Sequence, residues 1–230
     1  MAKTDTTTPR ERYRAQVRTE VKEHAWEQIA TAGTSALSLN AIAKQMGMSG
    51  PALYRYFAGR DELITELIRD AYQSLADTIH AAADTFGASE DAADTEDADP
   101  GARLAALAHA LRDWALADPH RYFLIYGTPV PGYHAPEDIT VIASEIMGVL
   151  LDACAALPDH APPSAFDAHL ADHRQWAGDH PAPPAALHRA LSLWTRLHGA
   201  LSLEAAGHFN GMGLDPAQLF EAELHDLLAR

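Results

Sequence analysis

The chain is short of several things, and each shortage narrows what it can be. A single cysteine, Cys154, occurs in 230 residues, so no internal disulfide can form and a reducing, cytoplasmic setting is expected. β-Branched residues are sparse beside alanine and leucine, which disfavours sheet and predicts an all-α protein with no strands. No uninterrupted apolar run reaches the ~18 residues of a membrane span, and no signal peptide precedes the first expected helix, so no membrane association is expected. There is no Gly-x-Ser-x-Gly elbow and no phosphate loop. The lone thiol sits in an apolar helical pattern where an inert group is expected, and no pair of carboxylates is isolated in an apolar surround. Nothing here calls for a catalytic residue or a cofactor.

Lysine is the other shortage: none follows Lys44. The net charge is −15, which by itself argues against nucleic acid, but the distribution reverses that reading. Residues 1–60 carry nine Lys/Arg against five Asp/Glu, a balance of +4, and the remaining 170 carry eight against 27, a balance of −19. Such a molecule presents a basic end to phosphates and holds an acidic body away from them.

Within that basic end, Ser38 to Phe57 reads as two short helices joined by a tight turn. Ser38 suits an N-cap, and Leu39, Ile42, Ala43 and Met46 recur at helical spacing. Gly47 suits the left-handed residue that closes a helix. Ser49 starts the next helix, which is expected to run through Phe57, with Pro51 in its first turn where a missing N–H costs nothing. Leu53 and Phe57 share one face as buried anchors, leaving Tyr54, Arg55 and Tyr56 around the rest. The order small residue, turn glycine, buried anchor (Ala43, Gly47, Leu53) fits a helix-turn-helix, whose second helix enters a DNA groove. An ordinary helical hairpin is the plainer reading, but it does not account for cap, glycine, proline and a Tyr-Arg-Tyr cluster in one register.

Gly47 to Phe57 followed by Arg60-Asp61-Glu62-Leu63 resembles the DNA-binding domain of the tetracycline-repressor (TetR) family, over about Arg14 to Ile68. Trp194-Thr195-Arg196-Leu197-His198-Gly199 with Leu203-Glu204 is similar, over a shorter span, to a Trp-His-Gly pattern in the C-terminal domain of one TetR subgroup. The resemblance implies a helix-turn-helix DNA-binding domain over 1–58 and a helical effector-binding and dimerisation domain over 59–230. It implies a DNA-contacting set of Ser38, Ser49, Gly50, Pro51, Ala52, Tyr54, Arg55, Tyr56 and Arg60. Ser38 would hold a phosphate through its hydroxyl and backbone N–H, the front of the second helix would meet base edges, and Tyr56 and Arg60 would meet phosphates. Arg14 and Arg18 of the first helix are expected to track the backbone as well.

The remaining pattern predicts helices over Arg10–Ala32, from Asp61-Glu62 after a break at Gly59 to about Phe86, then over Arg103–Ala117, Pro119–Tyr126, Glu137–Leu157, Ala185–Ala206 and Pro216–Ala229, with one short helix around Phe166–Trp176. In the family the helix after the reader joins it to the body. The polar start, Lys3–Thr8, and the acidic stretch Gly87–Gly101 are expected to be disordered. Trp114, Tyr122, Phe123, Tyr126, Trp176, Trp194 and His198, with His208 and Phe209, are candidates for lining a mostly apolar effector cavity, although aromatic residues in helices are more often plain core. His169 and His173 are four apart, with Asp172 and His180 nearby, but the segment is polar and bounded by prolines, so a solvated helix is expected rather than a metal site. Ala190, Leu193, Leu197, Ala200, Leu201, Leu219, Leu224 and Leu227 on the last two helices are candidates for a four-helix dimer interface.

The expected function is a homodimeric regulator, a repressor that binds an inverted-repeat DNA operator and is released by a small hydrophobic effector. A regulator that activates or lacks a ligand, a helical enzyme and a protein-interaction adaptor are the alternatives. The enzyme would turn over substrate without DNA and ignore Tyr54→Ala. The adaptor would show no salt-dependent DNA binding.

Overall fold

A computed structural model describes residues 8–90, 100–130, 133–158 and 162–229, with the backbone alone at 86–90 and 100. The acidic stretch expected to be disordered lies mostly outside these residues, as does the polar N-terminus before Thr8. Among the described residues there are ten α-helices, two 3-10 turns and no strand. Internal contacts divide the chain into two compact units, Met1–Asp70 with Leu124–Pro136, and Ala71–Phe123 with Glu137–Arg230.

The first unit starts with α1 (Pro9–Ala32). Thr8 and Glu11 cap it reciprocally, the Thr8 hydroxyl accepting from the Glu11 N–H while the Glu11 carboxylate accepts from the Thr8 N–H at 2.7 Å, so two orphan donors of the first turn are satisfied. Those bonds to Thr8 also hold the Glu11 carboxyl below the usual range. Val17, Val21, Ala25 and Ile29 recur every four residues and are buried, while Trp26, expected beside them, is half-buried. Gly33, at φ 78°, ends the helix in backbone that side-chain-bearing residues avoid. A 3-10 turn (Thr34–Ala36), α2 (Leu39–Gln45) and α3 (Gly50–Leu53) follow. The start of α4 (Arg60–Glu90) completes the unit, with Leu63, Ile64 and Leu67 wholly buried. The unit therefore runs on to Asp70, past the expected boundary at residue 58.

The second unit holds the rest of α4, α5 (Pro100–Ala117), the first part of α6 (Pro119–Tyr126), α7 (Glu137–Ala156), α8 (Ala165–Asp172), a second 3-10 turn (Gln175–Ala177), α9 (Pro184–Ala205) and α10 (Pro216–Leu228). Here α4 persists past the expected end near Phe86, and α5 begins three residues before Arg103. The helix expected around Phe166–Trp176 breaks at His173 into α8 and the 3-10 turn. α7 is long and apolar enough to cross a membrane by length and composition, which no uninterrupted run had suggested. It packs on α5 and α9, with Glu145 and Asp152 exposed along it.

α9 is the central element, packed against α5, α7, α8 and α10. Leu187, Ala190, Leu193, Leu197 and Leu201 form its buried stripe. This corrects the expected dimer face. Six of the eight candidates (Ala190, Leu193, Leu197, Leu201, Leu224 and Leu227) are buried within the protomer, because the strongest apolar stripe of each helix is spent on its own core. Arg112 of α5 forks onto Glu204 of α9, Nε donating to Oε2 at 3.1 Å.

The histidine-rich segment is engaged in side-chain contacts. Asp167 caps α8 with Ser164, whose N–H and hydroxyl hold its carboxyl below the usual range, and His188 of α9 lies 2.8 Å from the same carboxylate. His173 has Nδ1 2.9 Å from the His169 carbonyl, with the two rings stacked at 4.1 Å. His180 pairs with Asp152 at 3.0 Å.

Candidate functional site

The two helices of the reader are set by local chemistry. The Ser38 hydroxyl accepts from the Ala41 N–H at 3.4 Å and caps α2. At the other end Gly47, at φ 66°, turns the chain, with Met48 N–H donating to the Ala43 carbonyl at 2.8 Å and Gly47 N–H to the Lys44 carbonyl at 3.2 Å. That pair of bonds is the Schellman closure of a helix, and glycine fits it without penalty. Pro51 lies in the first turn of α3, and Leu53 and Phe57 are wholly buried.

One expectation about this helix is overturned. α3 ends at Leu53, and Tyr54 to Tyr56 form a turn, with Arg55 N–H donating to Ala52 and Tyr56 N–H to Leu53 in tighter, three-residue steps. The carbonyls this leaves exposed are met by α1: Arg14 Nη2 donates to the Arg55 carbonyl at 3.4 Å and Arg18 Nη1 to the Tyr56 carbonyl. Side chains thus satisfy the acceptors that a longer helix would have satisfied internally.

Most of the residues expected to contact DNA are at least partly exposed on this surface. Ser49, Pro51, Tyr54 and Arg55 are exposed, Gly50, Ala52 and Tyr56 partly so. Tyr54 stands 46 % exposed, which is high for an aromatic ring on a folded unit. Asn40 of α2 reaches the same surface: its Oδ1 lies 3.1 Å from where a β-carbon on Gly50 would stand. A side chain at position 50 would therefore press on the Asn40 amide.

The cations of this unit sort into two groups. Arg18 faces Glu62 at 3.6 Å and Glu66 at 3.3 Å, Lys22 pairs with Asp70 at 2.5 Å, and Arg60 Nη2 donates to the Thr34 carbonyl at 2.8 Å. Arg18 and Arg60, expected to meet phosphates, are drawn into the fold because the carboxylates of α4 and the Thr34 carbonyl, which also accepts from the Leu37 N–H, lie within their reach. Ser38 is likewise committed, its N–H donating to Gln28 Oε1 at 3.0 Å. Lys44 and Arg55, by contrast, have no ion-pair partner among the described residues and are exposed. Lys44, in the last turn of α2 within the one basic stretch, was not among the expected contact residues.

In the second unit, residues of α4, α5, α7 and α9 line a small, half-open apolar pocket. Leu104, Leu107 and Leu111 of α5 supply one wall, and Leu193, Trp194 and Leu197 of α9 another. Ile79 belongs to α4, and Ile146 and Leu150 to α7. Among the aromatic candidates, Trp194 is in this lining. Trp114 is core, its indole N–H donating to Ser74 Oγ at 3.1 Å. Phe123 packs edge-on against Tyr122 at 5.2 Å, Trp176 is half-buried in its 3-10 turn, Tyr126 falls in the first unit, and His208 and Phe209 lie in the turn after α9. Apart from Trp194 the lining of this pocket is leucine, isoleucine and alanine at plain core spacing, which nothing in sequence separates from ordinary core.

Tyr122 and His198 meet each other instead. The Tyr122 hydroxyl lies 3.0 Å from His198 Nδ1, and the two rings stack at 5.7 Å. Burial drives the His198 pKa down to about 4 and that of Tyr122 up to about 12, since removing either charge form from water is costly. Both are neutral at pH 7. Trp194 sits 4.2 Å from the His198 ring, so cavity wall and polar pair are in contact. Cys154 is wholly buried and burial lifts its thiol to about 12, leaving no thiolate for chemistry.

Comparison with known proteins agrees with this arrangement. Residues 23–67 match the family model of bacterial regulatory proteins of the tetR family, and residues 104–227 match that of the tetracyclin repressor-like C-terminal domain. HTH-type transcriptional regulators of Mycobacterium tuberculosis and Mycobacterium bovis are 37 % identical over 226 residues, spanning 94 % of this chain and 92 % of theirs. A solved structure described as regulatory protein SCO4313 is 69 % identical, with a TM-score of 0.82 over 97 % of this chain and 100 % of that one. A protein from Rhodococcus sp. RHA1 shares the fold at 22 % identity, with a TM-score of 0.65 over 93 % of this chain and 94 % of that one. A helix-turn-helix within the basic first 60 residues, followed by a helical domain of matching family, has one consistent reading: the chain belongs to the TetR family of transcriptional regulators and is not an enzyme.

Proposed function

We propose that the chain is a ligand-responsive repressor that binds an inverted-repeat operator as a homodimer and leaves it when a small apolar effector enters the second unit. The observation that carries the DNA half is the exposed Ser49–Tyr56 surface standing on the buried anchors Leu53 and Phe57. Ser49, Gly50, Pro51 and Ala52 meet base edges, Tyr54 and Arg55 meet bases or flanking phosphates, and Tyr56, Lys44 and Arg55 anchor the backbone. Arg60 and Ser38 hold the reader in shape, and their contacts to DNA run through groups their internal bonds leave over. Two copies reach successive major grooves, roughly 34–36 Å apart or somewhat more.

The effector half rests on the cavity. Its walls include Ile79 of α4, and α4 runs unbroken from Arg60 at the reader to Glu90. A ligand that pushes this wall acts on a helix whose first turns belong to the reader. Release then requires that the ligand bind one reader spacing better than the other. Dimerisation uses the outer faces of α9 and α10, since their inner stripes are spent: Leu203 is 44 % exposed there, and Ala200 and Leu219 are half-buried.

Gel-shift titration of a selected operator tests the reading. Tyr54→Ala with Arg55→Ala abolishes specific binding while the dimer stays folded. Unchanged binding after both substitutions removes α3 and its turn as the reader.

A further inference from the structure

We infer that Asn40 reads an adenine in each half of the operator, standing in for the side chain that position 50 lacks. The inference rests on the proposed DNA-reading role of α3 and its turn. Gly50, Pro51 and Ala52 make up the front of α3, and their side chains hold no hydrogen-bond donor or acceptor. Against base edges they supply close approach and hydrocarbon contact, as with a thymine methyl, and leave the donor and acceptor code of the major groove unread. The neighbouring helix brings what they lack. A β-carbon on Gly50 would lie 3.1 Å from Asn40 Oδ1, so the Asn40 amide borders the spot from which a side chain at position 50 would leave α3.

Asn40 is exposed, whereas Leu39, Ile42 and Ala43 around it on α2 turn into the core. Other polar side chains near the two helices are committed within the unit. The Ser38 hydroxyl caps α2, Gln28 accepts from the Ser38 N–H, and Arg60 donates to the Thr34 carbonyl. The Asn40 side chain makes no hydrogen bond among the described residues. Its amide carries an acceptor and a donor side by side. Adenine is the one base whose major-groove edge shows the complementary pair, N6–H donating and N7 accepting. Guanine shows two acceptors there, against which the Asn40 carbonyl would go unpaired. The side chain has no charge, so it adds base identity rather than attraction to the phosphate backbone.

The test is to select bound sequences from random double-stranded DNA and then measure affinities for single-position variants of the enriched operator, using the full-length wild type and Asn40→Ala. The wild-type motif holds one adenine per half-site whose replacement in both halves weakens binding by about 30-fold or more, two bidentate contacts at about fivefold or more each. Asn40→Ala enriches the same motif except at that position, where it accepts all four base pairs about equally. The preferences it keeps elsewhere show that the variant is folded. Its dependence on salt matches the wild type, because no phosphate contact is lost. Base preferences left unchanged by Asn40→Ala, a preference lost at a G·C pair instead, or an equal weakening on every sequence (the mark of a purely structural role) overturns the inference and leaves the reader in place. Absence of any motif with the wild type, or a motif that survives Tyr54→Ala with Arg55→Ala, overturns the reading of α3 itself and the inference with it.

Discussion

Arg18 lies with its guanidinium carbon 4.2 Å from the centre of the Phe57 ring. Phe57 is the anchor that follows the recognition turn, so this contact ties α1 to the reader from within. The same arginine donates to the Tyr56 carbonyl and faces Glu62 and Glu66. Like Lys22 and Arg60 it is a structural cation, whereas Lys44 and Arg55 are exposed.

Arg18→Ala should therefore destabilise the first unit by about 1–3 kcal/mol, combining a lost cation–π contact, a lost carbonyl bond and weak ion pairs. The salt dependence of DNA binding should not change. Urea unfolding and binding isotherms at several salt concentrations separate the two effects.

Lys44→Ala should do the reverse. With no ion pair to lose it leaves stability within about 0.5 kcal/mol, and it flattens the slope of log K against log salt by about 0.9 for each phosphate contact removed, or about 1.8 for a symmetric dimer. An unchanged slope would take Lys44 off the backbone.

Gly47→Ala should cost about 1–2 kcal/mol although open space surrounds the position. The expense is backbone strain at φ 66°, which a β-carbon makes unfavourable. Thermal unfolding of the variant measures it.

His198 predicts an acid-side loss of stability. Its folded pKa, about 4, lies below the unfolded value of about 6.5. Between these the unfolded chain binds a proton that the folded chain refuses, so stability rises with pH across that window. The contribution is complete above about pH 6.5 and is lost as pH falls towards 4, a change on the order of 2–3 kcal/mol. Urea unfolding of wild type and His198→Gln across this range should show a steeper fall in the wild type.

The reader was largely legible in sequence because its signals are local. A cap at Ser38, a positive-φ glycine at 47, a first-turn proline at 51 and apolar anchors at 53 and 57 each answer to a few neighbouring residues. Where α3 ends was not legible, because the turn at Tyr54–Tyr56 is stabilised by Arg14 and Arg18, some forty residues away in sequence. The same distance hid the roles of Arg18 and Arg60. The cavity was the hardest to read: a leucine facing a void and a leucine facing another leucine have the same spacing, and of the aromatic candidates Trp194 is the one in its lining. The interface candidates failed for a related reason, since burial against the same chain and burial against a second copy call for the same residues.

Selection of bound sequences from a random double-stranded DNA pool, run with wild type and with the Tyr54→Ala, Arg55→Ala variant, tests the central proposal most directly. A DNA reader of this build enriches a two-fold symmetric sequence with half-sites about 10 base pairs or more apart, centre to centre, and the variant enriches none. Absence of an enriched motif with the wild type, or the same motif with the variant, would contradict it.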